Sequence, residues 1–207
     1  MPNLTEYGKK VFEEKYKTAI TDEQIFYYCY AVLNRTKYKT KYKENLKVDL
    51  PRIPLLNNFF ELSELGKKLA DLHINYETAT KHKLELFEIP QKTHNQELVE
   101  RDFKPNIALK VDKINGEVKL DDKHILRGIP ATAFDYKIGN KSPIEWVCNN
   151  NCFSPLKYKK SVNEQFLAEI DDYDWQEIKE DLIDLIPRLI TVSLQTQEII
   201  GEIDSLD

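Results

Sequence analysis

Apolar positions recur along this chain with two different periods, and the change of period divides it. Ile25, Cys29, Val32 and Leu33 fall at helical spacing, with Phe26 and Tyr30 alongside. Thr21-Asp22-Glu23-Gln24 stands before them as a capping box: the Thr21 hydroxyl takes the Gln24 amide and the Gln24 side chain reaches back. Asn34 is the expected stop. Asn58-Phe59-Phe60-Glu61 has the same capping form, and Leu62, Leu65, Leu69 and Leu72 behind it predict an amphipathic helix to about Tyr76. Between the two helices, Pro51-Arg52-Ile53-Pro54 cannot be helical throughout, because each proline drives its predecessor extended. It is expected to be a rigid connector.

Alternation takes over in the middle of the chain. Leu84 to Ile89 predicts a short strand. Ile107 to Val111 and Glu117 to Leu120 alternate on either side of Asn115-Gly116, the dipeptide that favours a two-residue hairpin turn, and His124 to Ile129 predicts a further strand. The sheet is therefore expected to be small and antiparallel, over roughly 84–138. Ser142-Pro143-Ile144-Glu145 opens another helix, with Ser as cap, Pro in the first turn and Glu three on; Asn149-Asn150-Asn151 ends it.

From Asp174-Trp175-Gln176-Glu177 a long terminal helix follows, striped by Ile178, Leu182, Leu185, Leu189 and Val192 and running towards Ile199 and Ile203. Pro187 lies inside it and is expected to kink it. Acidic residues crowd its first half, which suits the positive end of a helix. The pattern predicts an α+β fold, mainly helical, with a small central antiparallel sheet and a long kinked C-terminal helix packed across both halves. A helical half over 1–80 and a sheet with C-terminal helices over 81–207 are expected to form one compact unit.

With 207 residues, 41% of them hydrophobic and 31% charged, and a mean hydropathy of -0.55, the chain is a soluble globular one. Such a composition excludes disorder and collagen-like structure. No run of 18 apolar residues suggests a transmembrane helix. Met1-Pro2-Asn3-Leu4-Thr5-Glu6 lacks the basic-then-apolar pattern of a secretory leader, and Cys29, Cys148 and Cys152 are a small, odd set. The expected location is a reducing cytoplasm. The net charge of -5 hides an uneven distribution. Residues 161–207 carry 2 Lys/Arg against 13 Asp/Glu, whereas residues 1–60 carry 11 against 7 and residues 61–160 carry 17 against 15. A mildly basic body is thus masked by an acidic tail segment. A nucleic-acid partner stays open, since phosphate binding depends on local Lys and Arg placement.

No set of residues assembles a catalytic site. Cys148 and Cys152 have no histidine near them in sequence to complete a zinc site. Glu177-Ile178-Lys179, with Asp171, Asp172 and Asp174 upstream, matches the tail of a metal-dependent nuclease motif, but that chemistry wants carboxylates on a strand edge. At a helix start they cap and solvate. His73 reads as an interfacial histidine and His124, beside Asp121 and Asp122, as a turn-to-strand boundary. Ser142 has no G-x-S-x-G elbow, and the six glycines are scattered, so no phosphate loop exists. Nor is there an Asn/Asp-Pro-Pro-Tyr motif. No cofactor and no metal are expected. What remains is a basic run, Arg35, Lys37, Lys39, Lys41 and Lys43, interleaved with Tyr38 and Tyr42 and followed by Lys47 and Arg52. Lysines there can pair with phosphates while tyrosines stack or hydrogen-bond. A solvated surface helix with both tyrosines packed inwards explains the same run.

Longer segments carry a resemblance. Ile25-Phe-Tyr-Tyr-Cys-Tyr-Ala-Val-Leu-Asn34, Tyr38 and Tyr42, Leu46-Lys-Val-Asp-Leu-Pro-Arg-Ile-Pro-Leu55, and Phe60 through Glu77 form one block. Gly128-Ile129-Pro130 with Phe134 through Val147 forms a second, and Ile183 to Val192 continues it. The ordered set resembles the C-terminal specificity (target-recognition) region of type ISP restriction-modification enzymes and helicase-like N6-adenine DNA methyltransferases. The resemblance covers about residues 20–205. It implies the distal part of a DNA target-recognition domain, non-catalytic by itself. Its partners would be double-stranded DNA and the methyltransferase, nuclease and translocase domains of the same system, with no membrane. Phosphate contacts would then come from Arg35, Lys37, Lys39, Lys41 and Lys43. Base or shape readout would come from the hairpin between Lys113 and Lys119 and from the loop between Lys137 and Lys141. Two other readings are a structural module docked on the methyltransferase without touching DNA, and a small magnesium-dependent nuclease using Asp174 and Glu177.

Overall fold

The computed structural model describes residues 4–90, 109–121, 123–150 and 175–206. The chain forms two compact units, one of Met1–Tyr76 with Gln195–Asp207 and one of Glu77–Leu194. The first unit holds α1 (Glu6–Tyr16), α2 (Asp22–Asn34), α3 (Thr36–Lys41), α4 (Phe59–Ile74) and the final turns of α6 (Trp175–Ser205). The second holds strands β1 (Glu85–Glu88), β2 (Lys110–Asp112), β3 (Glu117–Lys119) and β4 (His124–Arg127), then α5 (Pro143–Asn150) and the earlier part of α6.

In the first unit, α1 is an element the hydrophobic pattern did not reveal. Thr5 caps it by accepting the Gly8 amide at 3.1 Å, and only Phe12 of its residues is buried. One buried side chain in 11 residues leaves almost no stripe to read. The α2 capping box forms as expected, with Thr21 N donating to Gln24 Oε1 at 2.9 Å and Gln24 N donating to Thr21 Oγ1 at 3.2 Å. The pattern at Asn58 does not: its backbone (φ -90°, ψ 50°) leaves the extended conformation of a capping residue, and its side chain makes no cap bond. Here α2 and α4 pack closely, because Gly66 brings the α4 backbone against the carbonyl of Tyr27, where any Cβ would overlap. The core gathers Ile25, Tyr28, Val32, Phe59, Leu62, Leu69 and Ile203. Phe59 stacks on Tyr16 and meets Tyr28 at a tilt, at 4.6 and 4.9 Å between ring centroids.

Three tyrosine hydroxyls hold the connector after α3. Tyr38 donates to Arg52 O at 2.9 Å, Tyr28 to Pro54 O at 2.6 Å and Tyr16 to Leu56 O at 2.6 Å. Leu56 N in turn donates to the Tyr28 hydroxyl at 2.8 Å. Prolines remove backbone donors, and the phenols satisfy the carbonyls that a helix or sheet would otherwise pair.

In the second unit the sheet runs β1-β4-β3-β2, antiparallel throughout. The turn between β2 and β3 differs from the two-residue form expected from Asn115-Gly116. Asp112 pairs with Glu117, leaving a four-residue loop. Asp112 Oδ1 accepts the amides of Ile114 (3.0 Å) and Asn115 (3.1 Å), and Gly116 takes φ 64° at the loop's end. Asp112, one residue before the loop, decides its length by mimicking a backbone turn. Ser142 caps α5 reciprocally with Glu145: its amide donates to Glu145 Oε2 at 2.8 Å and its hydroxyl accepts the Glu145 amide at 3.3 Å. The core joins Val118, Leu120, Leu126, Phe134, Ile144 and Cys148 to Leu182, Ile186 and Ile190 of α6. Helical structure in α6 continues through Pro187, whose carbonyl accepts the His82 amide at 3.1 Å.

Candidate nucleic-acid interface

The basic run folds into α3 and the turn after it, and its five cations do not share one fate. Arg35 is buried, its guanidinium donating to the carbonyl of Leu206. It is therefore not among the exposed cations that charge alone suggested. Tyr38 is buried as well, its ring 4.9 Å from that of Tyr42. The tyrosines thus pack inwards and the lysines face out. Lys37 is exposed. Lys39 donates to Asn34 Oδ1 at 3.0 Å; desolvation draws its ammonium pKa down, against the opposing pull of the Asp204 carboxylate. Lys41 sits 5.2 Å from the Tyr42 ring centroid, and Lys43 is exposed with no partner among the described residues.

In the second unit, contacts with Glu145 and Trp146 bring Lys113 and Lys141 into one neighbourhood. Lys113, at the hairpin tip, pairs with Glu145 Oε1 at 2.6 Å. Burial pushes the Glu145 carboxyl up, but the Lys113 ammonium and the Ser142 donors outweigh it and hold the pKa at about 2. Next to Glu145, Trp146 donates its indole N–H to Ile138 O at 2.7 Å, and Lys141 lies 5.1 Å from the Trp146 ring. The loop is closed by the Ile138–Lys141 bridge, with Lys137 exposed beside it. Lys119 is apart, opposite Lys110 at the other end of the hairpin.

The remaining candidates have structural partners. His73 lies between Tyr30 (Oη to Nδ1, 2.6 Å) and Thr196 (Oγ1 to Nε2, 2.9 Å). Burial, and then the charge of Lys39, pulls its pKa below the ordinary value. His124 Nδ1 lies 2.8 Å from Asp121 Oδ1, which also accepts the amides of Lys123 and His124 at 2.8 Å each. Lys179, from the nuclease-like triplet, is buried with its ammonium 3.6 Å from Asp121. Asp122, Cys152, Asp171, Asp172 and Asp174 lie outside the described residues. Among the described residues no group of three His, Cys, Asp or Glu side chains could hold a metal ion, and no helix is long and apolar enough to cross a membrane.

The family model of the Type ISP C-terminal specificity domain matches residues 1–185. The chain belongs to this family. Among solved structures, this specificity domain is similar to part of the "cryoEM structure DrdV-DNA complex", at 34% identity and a TM-score of 0.83 over 97% of this chain and 20% of that one. It is similar to part of a nuclease-deletion mutant of the Type ISP restriction-modification enzyme LlaGI in complex with a DNA substrate mimic. There the identity is 25% and the TM-score 0.59, over 91% of this chain and 14% of that one. The ATP-dependent Type ISP enzyme LlaBIII bound to DNA shares the fold, at 20% identity and a TM-score of 0.63 over 96% of this chain and 12% of that one. The specificity domain thus spans a fifth or less of each of these chains. No curated protein matches it.

Two groups in this specificity domain carry no charge that would single them out. Trp146, with 36% of its surface exposed, ties the Lys137–Lys141 loop to α5, and Val48 and Leu50 are each 87% exposed beside the basic run. The signal for the first was the tryptophan one residue after a capping glutamate. For the second it was the alternation of Leu46, Val48 and Leu50 with polar residues in a short stretch that runs into prolines.

Proposed function

We propose that this specificity domain reads duplex DNA for a restriction-modification enzyme whose reactive groups lie outside it. The observation that carries the reading is the likeness to the DrdV–DNA complex, at 34% identity across nearly the whole chain. The exposed lysines of α3 and the turn after it, Lys37, Lys41 and Lys43, supply sequence-independent phosphate contacts, with Lys39 at their margin. The neighbourhood of Lys113, Lys137, Lys141 and Trp146, with Lys119 at the far end of the hairpin, offers side chains to base edges or groove shape. On this reading the domain has no turnover of its own and works in the cytoplasm. Its partners are DNA and the methyltransferase, nuclease and translocase parts of the enzyme.

The test is duplex binding by the purified chain as a function of salt, together with a magnesium-dependent cleavage assay. Binding that weakens steeply with salt, without cleavage, supports the reading. Cleavage that needs magnesium, or failure to bind any duplex, defeats it. A second reading, a module docked on the methyltransferase, is favoured by Phe26 and Phe60, exposed at 59% and 44% on the packed α2–α4 pair. It predicts a chain that binds no DNA.

A further inference from the structure

An apolar tip flanked in sequence by cations stands out in the first unit. Val48 and Leu50 are each 87% exposed, and Leu46 is 37% exposed two residues earlier. Single exposed apolar residues are ordinary, but three at alternate positions of one short loop call for a partner. The loop is also held firmly. Lys47 N donates to Glu44 O at 3.3 Å, Val48 N to Asn45 O at 3.1 Å and Asp49 N to Asn45 O at 2.9 Å. Pro51 then confines Leu50 to extended backbone, and the Tyr38 and Tyr28 hydroxyls fix the carbonyls of Arg52 and Pro54. The backbone is thus restrained on both sides of the tip, which lowers the freedom lost when something covers it.

The surroundings say what covers it. Lys41, Lys43, Lys47 and Arg52 flank the tip in sequence and are all exposed; Lys47 and Glu44 pair at 2.8 Å and offset each other, which leaves Lys41, Lys43 and Arg52 against Asp49. A cavity of about 390 Å³ opens beside Leu50, with Tyr42, Asn45, Asp49 and Arg52 on its wall. Apolar side chains among basic residues match a polyanion with an apolar interior, which is a DNA duplex. Its phosphates take the cations, its base stack takes the aliphatic groups, and an aromatic ring with amide, carboxylate and guanidinium groups receives a base edge. We propose that Val48 and Leu50 form a wedge that enters a DNA groove and parts a base step. This inference rests on the DNA-reading function above and gives it a means of sensing deformability rather than base edges alone.

The test uses the full chain and duplexes that it recovers from a randomised pool, remade with 2-aminopurine at each adenine in turn. The wedge predicts a rise in 2-aminopurine fluorescence at one step on binding. Val48→Ser with Leu50→Ser abolishes that rise and weakens binding to the recovered duplex by about tenfold. The salt dependence stays the same, because the lysines are intact. Lys41→Ala with Lys43→Ala does the reverse, lowering the salt dependence while the fluorescence rise persists once the site is saturated. A serine variant that binds and unstacks like the parent overturns the wedge and leaves DNA reading standing; the tip is then a protein-docking surface. Failure to recover any duplex overturns both.

Discussion

The hydroxyl of Tyr28 donates to the carbonyl of Pro54 at 2.6 Å and accepts the amide of Leu56 at 2.8 Å, so one phenol closes two backbone positions of a proline-rich connector. The ring is fully buried, with its centroid 4.9 Å from that of Phe59. Tyr28→Phe keeps the ring and orphans both backbone groups. The expected cost is about 2 kcal/mol of unfolding free energy, read as a lower urea midpoint with an unchanged m-value.

Gly66 is the point of closest approach between α2 and α4. A methyl group there collides with the Tyr27 carbonyl and sits 3.2 Å from the Ala31 side chain, and backbone cannot swing aside as a long side chain can. Gly66→Ala raises helix propensity yet is expected to destabilise by about 3 kcal/mol. Chemical denaturation measures it. An equal or higher midpoint contradicts the close packing.

His73 is held neutral between Tyr30 and Thr196, with its pKa below the ordinary 6.5 because of burial first and Lys39 second. The unfolded chain therefore takes up a proton before the folded one does as pH falls. Stability present above pH 6.5 is lost as pH drops through the folded pKa. His73→Gln is expected to flatten that loss, compared by urea titration at pH 7.5 and 5.5.

Glu145 gives a second, more acidic step. Its folded pKa of about 2 lies below the unfolded 4.5, so its contribution is complete above pH 4.5 and disappears as pH falls towards 2. Glu145→Gln is expected to remove this limb and to free Lys113. NMR titration of the carboxyl checks the first part directly, and a pKa near 4.5 in the folded protein refutes it.

Arg35 and Lys43 belong to the same basic run and have different expected phenotypes. Arg35→Ala removes a buried guanidinium and its bond to Leu206, and lowers thermal stability. Lys43→Ala leaves stability within about 0.5 kcal/mol. It lowers the slope of log affinity for duplex DNA against log salt by about 0.9. Isothermal binding at several salt concentrations, paired with thermal melts, distinguishes the two.

Local chemistry was legible in the sequence where it is local. The boxes at Thr21–Gln24 and Ser142–Glu145, the stop at Asn34, the stripe of α4 and the four strands all arise from residues within a few positions of one another. Where the deciding partner is distant, the pattern fell silent. Arg35 looked like a surface cation because the carbonyl that takes it belongs to Leu206. The turn at Asn115-Gly116 departs from the two-residue form because Asp112, outside the dipeptide, captures the loop amides. Likewise α1 carries too few buried positions to show a period, and its burial depends on Tyr28 and Phe59. At the candidate site, charge singles out the lysines proposed to meet phosphate but is silent on Val48 and Leu50, apolar residues that stand out only by being uncovered.

The helix α6 begins in one unit and supplies Ile203, fully buried, to the core of the other. Thr196 and Asp204 from the same turns bond His73 and the amide of Thr36. During vectorial synthesis the helices around Phe12 and Tyr28 leave the ribosome long before these residues exist. The helices of residues 1–76 complete their core only once residues 195–207 have been made, and every residue of the sheet-bearing unit is translated in that interval.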